Sequence, residues 1–206
     1  MEEFYSLLRK YNDESYLSFL PKWTGIYREP EAPVYWYVLK NILVELPNNY
    51  TIFEIGSGTG DLLALIYDFG FKNIKGSEKD VELCSIANEK MKHFFGIEDI
   101  IENKNYPYDI DRPNVLLQIN CVYFDKITTK QEYLTTLKGN YDNANPDYYI
   151  VEVIDDSFKE ENSIFPNFVR LSKKDLENTF VGKSIKYFHT YKYPINTSSK
   201  TIYIIS

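Results

Sequence analysis

The sequence predicts an α/β fold: a mostly parallel sheet of seven strands with helices on both faces, a helical N-terminal extension, and a closing antiparallel hairpin. Three observations lead there. Short apolar runs alternate with helix-period segments through residues 50–154, the pattern of successive βαβ units. A glycine-rich turn, Gly56-Ser57-Gly58-Thr59-Gly60, joins the first of those runs to the first of those helices. The last two β-rich runs are separated by a short loop, whereas a parallel crossover needs about a dozen residues or more.

The elements follow in order. Residues 1–20 place Phe4, Leu7, Leu8 and Tyr11 at helical spacing among charges, which reads as an amphipathic helix. Residues 21–33 hold Pro21, Gly25, Pro30 and Pro33 and read as a loop. A second helix is expected over 32–46, ended by Pro47-Asn48-Asn49, with Pro33 near its start where the missing N–H is not needed. Strands are expected at 50–55, 73–76, 99–102, 114–120 and 148–154. Helices are expected at 61–69, 80–95 and 129–138; Gly70 and Gly96 stop the first two. Residues 171–180 form a further helix, with Asp175 near its positive end. The hairpin strands are 184–193 and 200–205, joined through Pro194, Asn196 and Ser198.

Composition limits the function classes. The 206 residues suit one domain, and 44% hydrophobic with 26% charged residues are globular proportions. A net charge of −7 argues against a nucleic-acid partner, because phosphate neutralisation calls for a basic face. Residues 170–206 depart from that balance, with seven Lys/Arg against two Asp/Glu. Lysines on edge strands that discourage edge-to-edge pairing account for this. Cys84 and Cys121 have no metal-ligand spacing, so two reduced thiols and no metal are expected. No signal-like N-terminus and no run of about 18 apolar residues is present. The expectation is a soluble, cytoplasmic protein without a membrane partner.

Glycine in the 56–60 turn lets the backbone bend sharply and approach a ligand without a Cβ in the way. The helix that follows offers free N–H groups at its start. A dinucleotide site would read G-x-G-x-x-G, but the third glycine position is Asp61. The spacing is instead Glu54-x-Gly56-x-Gly58-x-Gly60, which resembles motif I of the class I (Rossmann-like) S-adenosylmethionine (SAM)-dependent methyltransferases. Glu78, at the end of the second strand and 20 residues beyond Gly58, resembles that family's second motif. A carboxylate there can accept both hydrogens of a ribose diol.

The resemblance covers residues 50–206, leaving 1–49 as an extension. It implies a Rossmann-like fold and SAM as cofactor, with S-adenosylhomocysteine (SAH) as product. It further implies a cofactor site of Glu54, Gly56, Ser57, Gly58, Gly60, Glu78, Lys79, Asn103 and Asn120. Glu78 would take the ribose, Lys79 the adenine face, and Asn103 the adenine amino group. Asn120-Cys121-Val122-Tyr123 would lie between methyl donor and acceptor. Methyl transfer to a bound nucleophile is largely proximity catalysis, so no universal catalytic residue is expected. Tyr123, His189 and Asp155 are the candidates on the acceptor side, Tyr123 equally as a pocket wall. The aromatic extension, with Trp23, Tyr27 and Arg28, is expected to close over the cleft as a lid spanning residues 15–37. No large insertion separates the core elements, so the acceptor is expected to be a small molecule (a metabolite, sugar or natural-product intermediate), methylated on O or N. The alternative is a non-catalytic SAM-binding module or partner subunit.

Overall fold

The computed structural model describes residues 1–15, 31–121, 126–157, 165–192 and 198–206. Two helices, α1 (Glu2–Ser15) and α2 (Val34–Leu43), precede the sheet. Then come β1 (Ile52–Ile55), α3 (Asp61–Asp68), β2 (Ile74–Glu78), α4 (Val81–Phe95), β3 (Ile101–Asn103) and β4 (Val115–Gln118). The chain continues through α5 (Lys130–Ala144), β5 (Tyr148–Asp155), β6 (Arg170–Leu171), α6 (Lys173–Thr179), β7 (Ile185–Lys192) and β8 (Ser198–Ile205).

The strand order is β3-β2-β1-β4-β5-β8-β7. The first five pair in parallel, and β8 runs antiparallel between β5 and β7. The expected hairpin is thus present, with β8 inserted as the inner strand. One element was not foreseen: the two-residue β6 pairs with the end of β5, making an eighth strand. Two residues carry too little period to register in a sequence. Because β2 and β3 lie to one side of β1 and β4 and β5 to the other, the order reverses between β1 and β4. The strand ends there open the crevice in which doubly wound sheets take ligands.

Side chains alternate along the strands and fill two cores. Ile52, Val115, Leu117, Ile150 and Ile202 face the layer containing α1, α2, α3 and α4. Phe53, Ile55, Leu116, Tyr149, Val151 and Tyr203 face α5 and α6. Local signals set the helix ends. Asp80 caps α4 by accepting from the N–H groups of Glu82 and Leu83 at 2.9 and 3.0 Å, and Gly96 ends it in the left-handed conformation. Thr129 and Glu132 form a capping box that starts α5. That helix runs through Gly139 to Ala144, well past the expected end at 138, because its buried residues Leu137, Asn140, Tyr141 and Ala144 continue the apolar stripe. Strand β3 starts later than expected, because Asp99 at φ 55° still belongs to the turn.

The buried face of α1 is Phe4, Tyr5, Leu8 and Asn12, while Leu7, expected inside, is 50% exposed. Trp36 of α2 is fully buried and meets Tyr5 edge-on, with ring centroids 5.3 Å apart. Helices α1 and α2 therefore share one core with the sheet. Trp23, Tyr27 and Arg28 of the expected lid lie outside the described residues. Trp36→Ala should cost about 3–5 kcal/mol, the usual toll for truncating a buried aromatic, read as a lower urea midpoint at unchanged slope. A loss below about 1 kcal/mol, ordinary for a surface site, would show that α2 is not part of the core.

Candidate functional site

The glycine turn sits at the C-terminal end of β1, beside the point where the strand order reverses. Gly56, Gly58 and Gly60 have φ of 69°, 53° and 75°, a region that costs a side-chain-bearing residue about 1–2 kcal/mol. Two differ in what surrounds them. A Cβ on Gly60 would lie 2.8 Å from the Cβ of Ala87 in α4, so this glycine permits close packing of turn on helix. A Cβ on Gly58 would meet nothing within 4 Å; the space above it is open.

The turn is tied down on both sides. The N–H groups of Gly56 and Ser57 donate to the carbonyl of Ser77 in β2 at 2.8 and 3.0 Å. Beneath the turn lies an ion pair. Lys90 of α4, with no exposed side-chain surface, donates to the carbonyl of Thr59 and to Asp61 Oδ1, both at 2.8 Å. Asp61 also accepts from the Thr59 hydroxyl and, at 3.3 Å, from Asn12 Nδ2 of α1. Burial pulls the Lys90 pKa down, and the charge of Asp61 opposes that pull.

Glu78 ends β2 and points at the turn. Its carboxylate accepts from the Gly58 N–H at 2.8 Å and from the Asp80 N–H at 2.9 Å. Asn103 stands opposite it in the sheet register and donates to the carbonyls of Glu78 and Lys79 at 3.0 and 3.2 Å. Lys79 is exposed. The structure thus gathers Gly56, Ser57, Gly58, Gly60, Glu78, Lys79 and Asn103 around adjoining strand ends.

Glu54 lies under the turn, 2% exposed, and its Oε2 has no hydrogen-bond partner. Burial pushes its pKa up to about 8, with the charges of Asp61 and Glu78 adding. Tyr35, half-buried on α2, extends into this region. Its pKa stands well above the usual phenol range, from burial first, with the charges of Glu152, Asp61 and Glu54 contributing.

A second polar cluster occupies the ends of β4, β5 and the hairpin. Glu152, 3% exposed, accepts from the Thr190 hydroxyl at 2.7 Å, the Asn120 N–H at 3.2 Å and Lys200 Nζ at 3.4 Å. Asn120 is itself left-handed, at φ 53°, and accepts from Lys200 through its side chain. Asp155 accepts from the Thr201 hydroxyl and the Ser157 N–H, both at 2.9 Å. His189 Nδ1 lies 2.9 Å from the Thr201 hydroxyl oxygen. Since Thr201 has one proton and gives it to Asp155, His189 must donate through Nδ1, which leaves Nε2 of the neutral ring as an acceptor. The structure therefore joins Asp155 and His189 through Thr201; Tyr123 lies outside the described residues.

Sequence reasoning missed Asn12, Lys90 and Glu152 and passed over Tyr35. Two of them left a signal: Lys90 lies on the apolar side of its helix with Leu83, Ala87 and Met91, and Asn12 continues the stripe of Tyr5 and Leu8. Among the described residues no cluster of His, Cys, Asp or Glu could hold a metal ion, and no helix is long and apolar enough to cross a membrane. At the strand ends around the turn stand two carboxylates, Glu78 and Glu54, groups that accept hydrogen bonds from hydroxyl or ammonium donors.

No family model matches the sequence, and no curated protein matches it in sequence. Solved structures do match. The magnesium protoporphyrin IX methyltransferase of Synechocystis PCC 6803, with bound SAH, superposes with a TM-score of 0.68 at 13% identity, covering 98% of this chain and 99% of that one. The methyltransferase domain of bacterial CtHen1 gives 0.61 at 14% identity, covering 84% and 96%. A SAM-dependent methyltransferase from Thermotoga maritima, described as a possible histamine N-methyltransferase, gives 0.52 at 18% identity, covering 82% and 88%. The chain has the Rossmann-like fold of the class I SAM-dependent methyltransferases.

Proposed function

We propose that this chain is a SAM-dependent methyltransferase acting on an oxygen or nitrogen atom of a small molecule. The observation that carries the reading is the convergence of the 54–60 turn and Glu78 at the reversal of strand order, over a buried Glu54 carboxylate oxygen that has no donor. Open space above Gly58 leaves room for a nucleoside, and the unmatched Glu54 Oε2 suits an ammonium group. The residues present therefore fit SAM.

In this reading Glu78 receives the ribose hydroxyls, with Asn103 and Lys79 at the adenine edge and face. Glu54 faces the amino-acid end. When bound, the sulfonium supplies a methyl group already activated for displacement. The chain's own work is alignment and the exclusion of water. Asn120, set by Glu152 and Lys200, stands where donor and acceptor would meet. The Asp155–Thr201–His189 chain keeps an imidazole lone pair ready to take a proton from an acceptor hydroxyl or ammonium. The net charge of −7 and the connections free of large insertions favour a small acceptor over a nucleic acid.

The direct test offers the protein SAM and a panel of candidate metabolites and measures SAH formation. SAH should also raise the melting temperature, as any ligand of the folded state does, and NAD should not. Binding of NAD without SAM or SAH would overturn the reading. SAH binding with no turnover on any acceptor would instead favour a non-catalytic module.

Glu78→Ala removes charge-assisted hydrogen bonds worth about 1.5–3 kcal/mol, so SAH affinity should fall on the order of ten- to a hundredfold. Unaltered affinity in a folded variant would remove Glu78 from the site.

Glu54 predicts a pH dependence. Its folded pKa of about 8 is raised from an ordinary 4.5, so the fold favours the protonated form. That stabilisation is complete below pH 4.5 and is lost as pH rises towards 8. Glu54→Gln should flatten this decline and melt higher than the unaltered protein in alkaline buffer. Binding has the opposite slope, because an ammonium group favours the carboxylate. SAH affinity should strengthen as pH rises to about 8, with a proton released. Calorimetry in two buffers of different ionisation enthalpy reads that proton, and an identical heat in both buffers would contradict it.

A further inference from the structure

Beyond the reversal of strand order, β4, β5, β8 and β7 contribute to one polar row. Glu152 of β5 shares a face with Ile150, and Lys200 of β8 shares that face with Ile202. Glu152 Oε1 accepts from the Thr190 hydroxyl of β7 at 2.7 Å, and Oε2 accepts from the Asn120 N–H at 3.2 Å and from Lys200 Nζ at 3.4 Å. Both of its oxygens are therefore satisfied, and its charge is matched by Lys200. Lys200 Nζ also donates to the side chain of Asn120, which lies exposed just past the end of β4. An ammonium only donates, so Oδ1 is the amide atom that faces Lys200, and the NH2 group of Asn120 points away from it. Asn120 is thus fixed twice, by Glu152 at its backbone N–H and by Lys200 at its amide. Two N–H groups on Asn120 Nδ2 and the third N–H of Lys200 remain. The side-chain groups that this row leaves to a ligand are donors.

We propose that Lys200 and Glu152 are positioning residues that select an oxygen acceptor, a carboxylate or a hydroxyl, over an amine by turning the Asn120 NH2 group outward at the tip of β4. This rests on the methyltransferase reading and narrows its acceptor. An oxygen acceptor keeps lone pairs for N–H donors while another lone pair attacks the methyl group. An ammonium brings only N–H groups, and a neutral amine has a single lone pair, which methyl transfer itself consumes. Donors of the site left facing donors of the ligand are unpaired, and unpaired polar groups are what lets a polar site reject an analogue. A carboxylate takes the methyl group with no proton to lose; a hydroxyl also releases one proton. The carboxylates of the glycine turn stand on β1 and β2, on the other side of the order reversal.

Two ligands test this without knowledge of the acceptor: SAH, and sinefungin, which carries a primary ammonium in place of the transferable methyl group. The ammonium lies on the side from which the acceptor approaches. The unaltered protein should bind sinefungin roughly tenfold or more weakly than SAH, the size expected for polar groups left unpaired. Lys200→Met frees the Asn120 oxygen to turn outward and leaves the Glu152 charge unmatched, so the ratio of sinefungin Kd to SAH Kd should fall about tenfold. Lys200→Arg, which keeps the donor and the charge, should keep the ratio. Should Lys200→Met lose SAH binding as well, Asn120→Asp decides: it has nearly the same size, leaves Lys200 a partner and puts an acceptor oxygen where the NH2 group stood, and it should lower the ratio too. In the SAH-formation assay, carboxylic acids or hydroxyl compounds should turn over and primary amines should not. Sinefungin bound more tightly than SAH by the unaltered protein, a ratio that these substitutions do not move, or turnover of a primary amine would overturn the assignment while leaving the methyltransferase reading standing. If the unaltered protein bound neither ligand, the SAM-binding reading would fail, and this inference with it.

Discussion

A lysine ammonium with no access to water carries the glycine turn on its tip. Lys90 reaches across from α4 to the carbonyl of Thr59 and the carboxylate of Asp61. Neither charge tolerates the loss of the other, since breaking a buried pair costs about 3–5 kcal/mol. The pair need not add net stability, because taking both ions out of water offsets most of their attraction. What it does is geometric. It draws one carbonyl of the turn inward and anchors the first residue of α3, so that the turn cannot unwind without exposing an unpaired charge to an apolar core.

The neighbouring features depend on that anchor. With the turn held against Ala87 on one side and Ser77 on the other, the Gly58 N–H meets Glu78. Glu78 is in turn fixed by the Asp80 N–H, the same residue that caps α4. The end of β2, the start of α4 and the glycine turn therefore form one hydrogen-bonded unit.

The second cluster is built differently. Glu152 is satisfied by a hydroxyl, an amide and an ammonium, so its charge is spread over Thr190, Asn120 and Lys200 rather than held for a ligand. Its effect is to hold Asn120 in a left-handed conformation at the end of β4. Asp155, three residues further along the strand and so facing the opposite side, orients His189 through Thr201. The two carboxylates of β5 thus serve different partners because successive side chains of a strand point to opposite faces.

The sequence by itself determined the α/β alternation, the closing hairpin, the glycine turn and Glu78, because each has a local cause: a hydrophobic period, a short connection, a φ that only glycine adopts readily, a fixed spacing from the turn. Helix ends with caps were legible to within a residue or two, as at Asp80 and Gly96. Tertiary structure decided the rest. The end of α5 and the two-residue β6 depend on what lies opposite them. The buried stripe of α1 includes Tyr5 and Asn12 and leaves out Leu7 because the helix docks on α3 and α4 in one rotation that hydropathy alone does not select. Lys90, Asn12 and Glu152 acquire their roles only through partners 29, 49 and 32 residues away along the chain. A polar residue on an apolar stripe announces that it has a partner, but only the fold says which one, because burial removes the water that would otherwise have satisfied it.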